Sequence, residues 1–182
     1  MAVTMLFPGL KSLANSLYDI HYFRDVGIVK AVFRAYAEGD LLKAAILTFT
    51  VNFFYVCILL TLLPSLIIRS LGVVLIMIRA FLWGAMFAPF GVEKMIFLPH
   101  MPTVLIEGLG YVVAAFGARL HGIMVSNPRE YGFTSTKEAF AGALRAIGPI
   151  YLLAAAILAV MAGYEGYEVI HLVPLFVHAA PQ

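Results

Sequence analysis

The chain has 182 residues, 63% hydrophobic and 12% charged, where a soluble domain carries about 25% charged residues. That deficit, with a mean hydropathy of +0.96, points to lipid as the surrounding solvent. A net charge of +2 is too small to argue for nucleic acid, and the single cysteine, Cys57, excludes a disulfide framework and a cysteine-based zinc site.

The opening "MAVTMLFPGL" lacks a basic start and does not read as a signal peptide. Residues 10–38 read as amphipathic helix. Leu10, Leu13, Leu17 and Ile20 recur at spacings of three and four; further on, Lys30, Arg34 and Glu38 share one face, and Val29, Val32, Phe33 and Tyr36 the other. Such helices lie flat at a membrane interface or pack on the protein's own helices, and the sequence leaves both open. Gly39 is placed to end this segment and Asp40 to cap the next.

Residues 41–63 form the first predicted span, ended or kinked by Pro64. A second is predicted at 66–88, with Arg69 near one end and Arg79 near the middle. The connection "APFGVEKMIFLPHMP" holds three prolines and a glycine, and the third span follows at 103–125. Ser135 and Glu138 have capping-box spacing. The fourth span is predicted at 147–170, with a kink at Gly148–Pro149. The expected fold is therefore an all-α polytopic bundle of four to five spans. It divides into N-terminal interfacial helices (1–40), the bundle (41–171) and a short interfacial tail (172–182). The basic residues ahead of the first span favour a cell-membrane protein with a cytoplasmic N-terminus.

Polar residues inside such spans are expensive and face the interior. Arg79 is the costliest, at about 2.5–3.5 kcal/mol on insertion scales. Glu107, early in the third span, is its candidate partner, with separate satisfaction of each by water or backbone as the alternative. Asn52 reads as interhelical glue. Glu165 and Glu168 are expected near the interface, beside Tyr164 and Tyr167 in an aromatic belt. Arg119 closes the apolar run of the third span.

A small-residue stripe behind Glu107 (Gly110, Ala114, Gly117 and Ala118, with Tyr111 among them) is expected to pack against a matching stripe of Ala155, Ala159 and Gly163. His100 and Glu107 do not make a zinc motif, because ligands on one helix stand three or four residues apart and these stand seven apart with Pro102 between them. No nucleophile has a recognisable setting, since there is no G-x-S-x-G motif and Cys57 lies between Val56 and Ile58. No metal, cofactor or catalytic residue is expected.

The order of features resembles the stage II sporulation protein M family: Asn52 in an apolar first span, the small pair in "WGAMF" with Gly84, then Leu98-Pro99-His100 followed by Glu107 and the Gly/Ala stripe, and last "YLLAAAILAVMAGYEGYEV". The resemblance covers about residues 44–170. It implies Asn52, Gly84, His100, Glu107, Gly117 and Glu165 as family-pattern positions. Met101 stands where the family often has glycine, and Trp83 where it often has asparagine. The family's best-described member is a membrane scaffold that resides with cell-wall hydrolases during engulfment. The resemblance thus implies a noncatalytic scaffold or complex subunit, working with other membrane proteins or as a homo-oligomer. The residues themselves also admit a transport or channel module built on Arg79 and Glu107. An intramembrane enzyme is the weakest reading, because His100 and Glu107 make no complete constellation.

Overall fold

The computed structural model describes residues 9, 12, 27–86 and 93–178. Every regular element among them is helical. The amphipathic pattern expected over 10–26 falls, apart from Ser12, outside the described residues, as does part of the proline-rich connection.

Helix α1, Gly27–Glu38, ends at Gly39, whose φ of +70° suits a residue without a side chain. Asp40 then caps α2, Leu41–Ile67, its Oδ1 accepting the Lys43 amide at 3.0 Å. Of the two readings left open for α1, contact with the protein's own helices holds for its inner face. Ala35 is fully buried, and the Tyr36 hydroxyl lies 2.7 Å from Thr48 Oγ1 on α2.

Pro64 does not end α2. The middle of the helix, Val51–Leu62, widens into π geometry, and the chain continues helically to Ile67. The break comes four residues after the proline. Ile68 is extended and Ser70 takes φ of +67°. Helix α3, Leu71–Met86, then turns back against α2. Gly72 makes this possible, because its amide donates to Ser65 Oγ at 3.0 Å and a Cβ there would stand 1.8 Å from the Thr61 carbonyl oxygen. The predicted span at 66–88 is therefore cut at its start. Three described helices are long and apolar enough to cross a membrane, Leu41–Ile67, Leu98–Ser126 and Thr136–Phe176, and not the four to five expected. The 16 residues of α3 extend about 24 Å at 1.5 Å per residue, short of the roughly 30 Å hydrocarbon core.

Helix α4, Glu93–Ser126, starts before its prolines, so Pro99 and Pro102 lie inside it and do not mark its beginning. A 3₁₀ turn, Pro128–Tyr131, leads to α5, Thr136–Tyr167. Ser135 caps α5 by accepting the Glu138 amide at 3.2 Å, and the Glu138 carboxylate reaches Thr134. The helix passes through Pro149 without a break and continues by a π turn, Glu168–Leu172, into Val173–His178. The expected tail thus begins as a continuation of the last helix.

Contacts at both ends fix the relative directions. Arg119, late in α4, donates to Ser70 Oγ just past α2 at 2.8 Å, so α2 and α4 run in parallel. Glu168, at the end of α5, bonds His100 and Thr103 early in α4, so α5 runs antiparallel to both.

The core is a seam between α4 and α5, closed by Val56 and Cys57 of α2 and Ile76 of α3. Gly110 receives Leu158, and Gly117 receives Tyr151, whose hydroxyl donates to the Ala114 carbonyl at 3.1 Å. The expected matching stripe is corrected here. Ala155 is half-buried, and Ala159 and Gly163 are exposed. The buried face of α5 instead carries Tyr151, Ala154, Leu158, Met161 and Ala162. The seam pairs large with small: Leu158 and Tyr151 fill the room left by Gly110 and Gly117, with Ala154 and Ala162 beside the large residues. The outer faces present Leu105, Val112 and Phe116 of α4 and Leu152 and Val160 of α5, an apolar surface suited to lipid.

Candidate functional site

His100, Thr103, Glu107 and Tyr111 follow one another along α4 at spacings of three and four, so they share one face over about 16 Å of helix. Two polar groups form along this face.

The inner group joins three helices. Tyr111, nearly fully buried, donates its hydroxyl to Asn52 Oδ1 of α2 at 2.8 Å and also makes a short contact with Glu107 Oε1. Arg79 of α3 brings its Nη2 to 4.0 Å from Glu107 and 3.5 Å from the Tyr111 hydroxyl. Its guanidinium also lies 4.4 Å from the centre of the Trp83 ring. A delocalised cation stacked on indole and flanked by an acid is a stable way to keep arginine in an apolar bundle.

The outer group joins α4, α5 and α1. Glu168 is fully buried, its Oε1 2.8 Å from His100 Nδ1 and its Oε2 accepting from Thr103 Oγ1 at 2.5 Å. Tyr164 donates to the Pro99 carbonyl at 3.1 Å, fastening α5 to the stretch of α4 where two prolines remove helical amide donors. Glu165, half-buried, faces Tyr36 of α1; its Oε2 is buried and has no hydrogen-bond partner among the described residues. Burial pushes the Tyr36 hydroxyl well above its usual range, so it stays protonated and available as a donor.

The geometry adds partners that the sequence did not pair. Glu168 is buried between helices, and it and His100 are each other's partners, because the antiparallel run of α5 brings its end back beside the start of α4. Arg79 and Glu107 are brought together with Asn52. Arg119 is not. It lies three turns further along α4, exposed, at the Ser70 turn. Gly84 is half-buried on α3. Gly110, Ala114 and Gly117 line the seam. Thr103 and Trp83 escaped the sequence reading, although Thr103 stands at helical spacing between His100 and Glu107. A further signal lies in the backbone. Asn52 and Glu168 sit at or beside the first residue of the two π stretches, a geometry frequent at functional sites.

Among the described residues, no three histidine, cysteine or acidic side chains are grouped so as to hold a metal ion. The arrangement can tie the five helices together and hold charge and protons in an apolar interior. No family model matches the chain, and neither a curated protein nor a solved structure matches it.

Proposed function

We propose that the chain is a noncatalytic, multi-pass integral membrane protein acting as a scaffold or subunit of a membrane complex. One observation carries this reading: the inner polar group links three helices, Tyr111 and Glu107 of α4 meeting Asn52 of α2 and Arg79 of α3. Groups joined in this way serve as interhelical glue. The resemblance to the stage II sporulation protein M family points the same way and implies partners in the cell envelope. A fourth crossing by the chain between α2 and α4 belongs to the reading. The parallel course of α2 and α4 supports it, since residues 71–97 must carry the chain back from the Ser70 end to the His100 end. Four crossings place both termini on one side, which the basic N-terminal segment marks as cytoplasmic.

The test is reconstitution of the purified protein in sealed vesicles, with Glu107→Gln as control. The expected result is no ion or solute flux above that of empty vesicles, together with a stoichiometric membrane partner from native membranes. Flux that Glu107→Gln abolishes overturns the scaffold reading. It would favour the second reading, a transport module, which one observation specifically supports: three acids, Glu107 of α4 with Glu165 and Glu168 at the end of α5, lie near one another inside the bundle.

A further inference from the structure

The three acids at this end of the bundle are not equivalent. Glu168 has a partner on each oxygen, His100 and Thr103. Glu107 has the Tyr111 hydroxyl and the Arg79 guanidinium. Glu165 lies near the Tyr36 hydroxyl and has no ion pair among the described residues, where its Oε2 is buried without a hydrogen-bond partner. The groups it feels are Glu107 and His100 from α4, Glu168 from its own helix and Tyr36 from α1. On the facing part of α2, Leu41 and Ala45 pack against Gly166, and Lys43 is turned outward to Glu38 at 3.0 Å. Among the described residues, three acids therefore share two basic groups, Arg79 and His100, each already next to a different acid. A buried carboxylate without a cation is far costlier than a neutral carboxyl group.

We propose that Glu165 is a proton-binding site inside the bundle, holding one proton as a neutral carboxylic acid while Glu107 and Glu168 remain with their basic partners. The ligand is the proton itself. A metal ion is disfavoured by the donor set, since Glu168 and Glu107 are engaged and no group of three ligands forms among the described residues. A neutral carboxyl group also fits its neighbours, because it adds no repulsion to Glu107 or Glu168. Raising the pH far enough to remove the proton places a third negative charge beside the other two and loosens the contact of α1 and α5. The site goes beyond the scaffold reading and does not rest on it.

Infrared spectroscopy of the full chain in lipid near neutral pH tests the site directly, because a protonated carboxyl group has a C=O stretch distinct from that of a carboxylate and shifts in heavy water. The wild-type protein should show this band. Glu165→Gln should remove it, and Glu107→Gln should keep it, with helical circular dichroism confirming that both variants fold. Absence of the band from the wild-type protein overturns the proposal whether or not the variants fold. A band that survives Glu165→Gln and disappears in Glu107→Gln overturns it as well, by placing the proton on Glu107.

Discussion

Glu168 has one carboxylate oxygen on His100 and the other on Thr103, so a single side chain joins the last helix to the one before it at two points. Removing it leaves His100 half-buried without its acid. Breaking a buried ion pair costs about 3–5 kcal/mol in soluble proteins, and interhelical hydrogen bonds in membranes contribute about 0.6–2 kcal/mol each. His100 can lose its proton and become neutral, so the lower part of that span applies. Glu168→Ala is expected to destabilise the protein by about 1–3 kcal/mol, read as a lower unfolding midpoint in detergent, with Glu168→Gln intermediate. At the surface the scale is different. Hydrogen bonds from Arg34 and Lys43 hold the Glu38 carboxyl below its ordinary value of 4.5. A depressed value in the folded state means that this stabilisation is complete above 4.5 and fades as the pH falls through the folded value. The midpoints of wild type and Glu38→Gln should therefore differ slightly near neutral pH and converge in acid, and a gap that persists in acid would rule the ion pairs out as its source. At this scale the sequence shows which residues share a face, because 100, 103, 107 and 111 follow the helical period. It does not show that Glu168 completes the group, since that depends on the direction in which α5 returns.

At the scale of elements, glycine decides two contacts. A Cβ on Gly72 would collide with the Thr61 carbonyl, a backbone atom that cannot turn aside. Gly72→Ala should therefore open the α2–α3 turn and destabilise by about 1–3 kcal/mol, as overpacking does. Gly110 differs, because what a Cβ would meet at 2.8 Å is the tip of Leu158. Gly110→Ala overfills this contact and Leu158→Ala empties it. The double variant should lose measurably less stability than the two single losses combined, and strict additivity would show that the two residues do not pack as a unit. The break at 68–70 was not legible, because it carries no proline or glycine within an apolar run and depends on the Ser65–Gly72 contact. The seam was legible only on its small side. Glycines and alanines at helical spacing identify a close approach, but whether the partner offers small or large residues depends on the volume between the helices.

At the scale of the whole molecule, low charge and high hydropathy read through directly, as apolar helices with apolar outer faces. The number of crossings does not follow from composition, because α3 is shorter than a span while the ends of α2 and α4 demand a return. Single cysteines in a Cys57→Ala background separate the possibilities, Cys57 being fully buried. Ile68, in the turn after α2, and Glu130, in the turn after α4, are exposed at the end defined by the Arg119–Ser70 bond. Lys30, on the exposed face of α1, lies at the other. In sealed, uniformly oriented vesicles a membrane-impermeant maleimide should react with Ile68→Cys and Glu130→Cys from one side and with Lys30→Cys from the other. Reaction of Ile68→Cys and Glu130→Cys from opposite sides would mean that residues 71–97 do not return across the membrane, and would remove the fourth crossing. Reaction of Lys30→Cys from the same side as Ile68→Cys would mean that α2 itself does not cross. The buried acids would then lie in a bundle packed against the membrane surface, and the cost that makes their pairing necessary would be that of a protein interior instead of a lipid one.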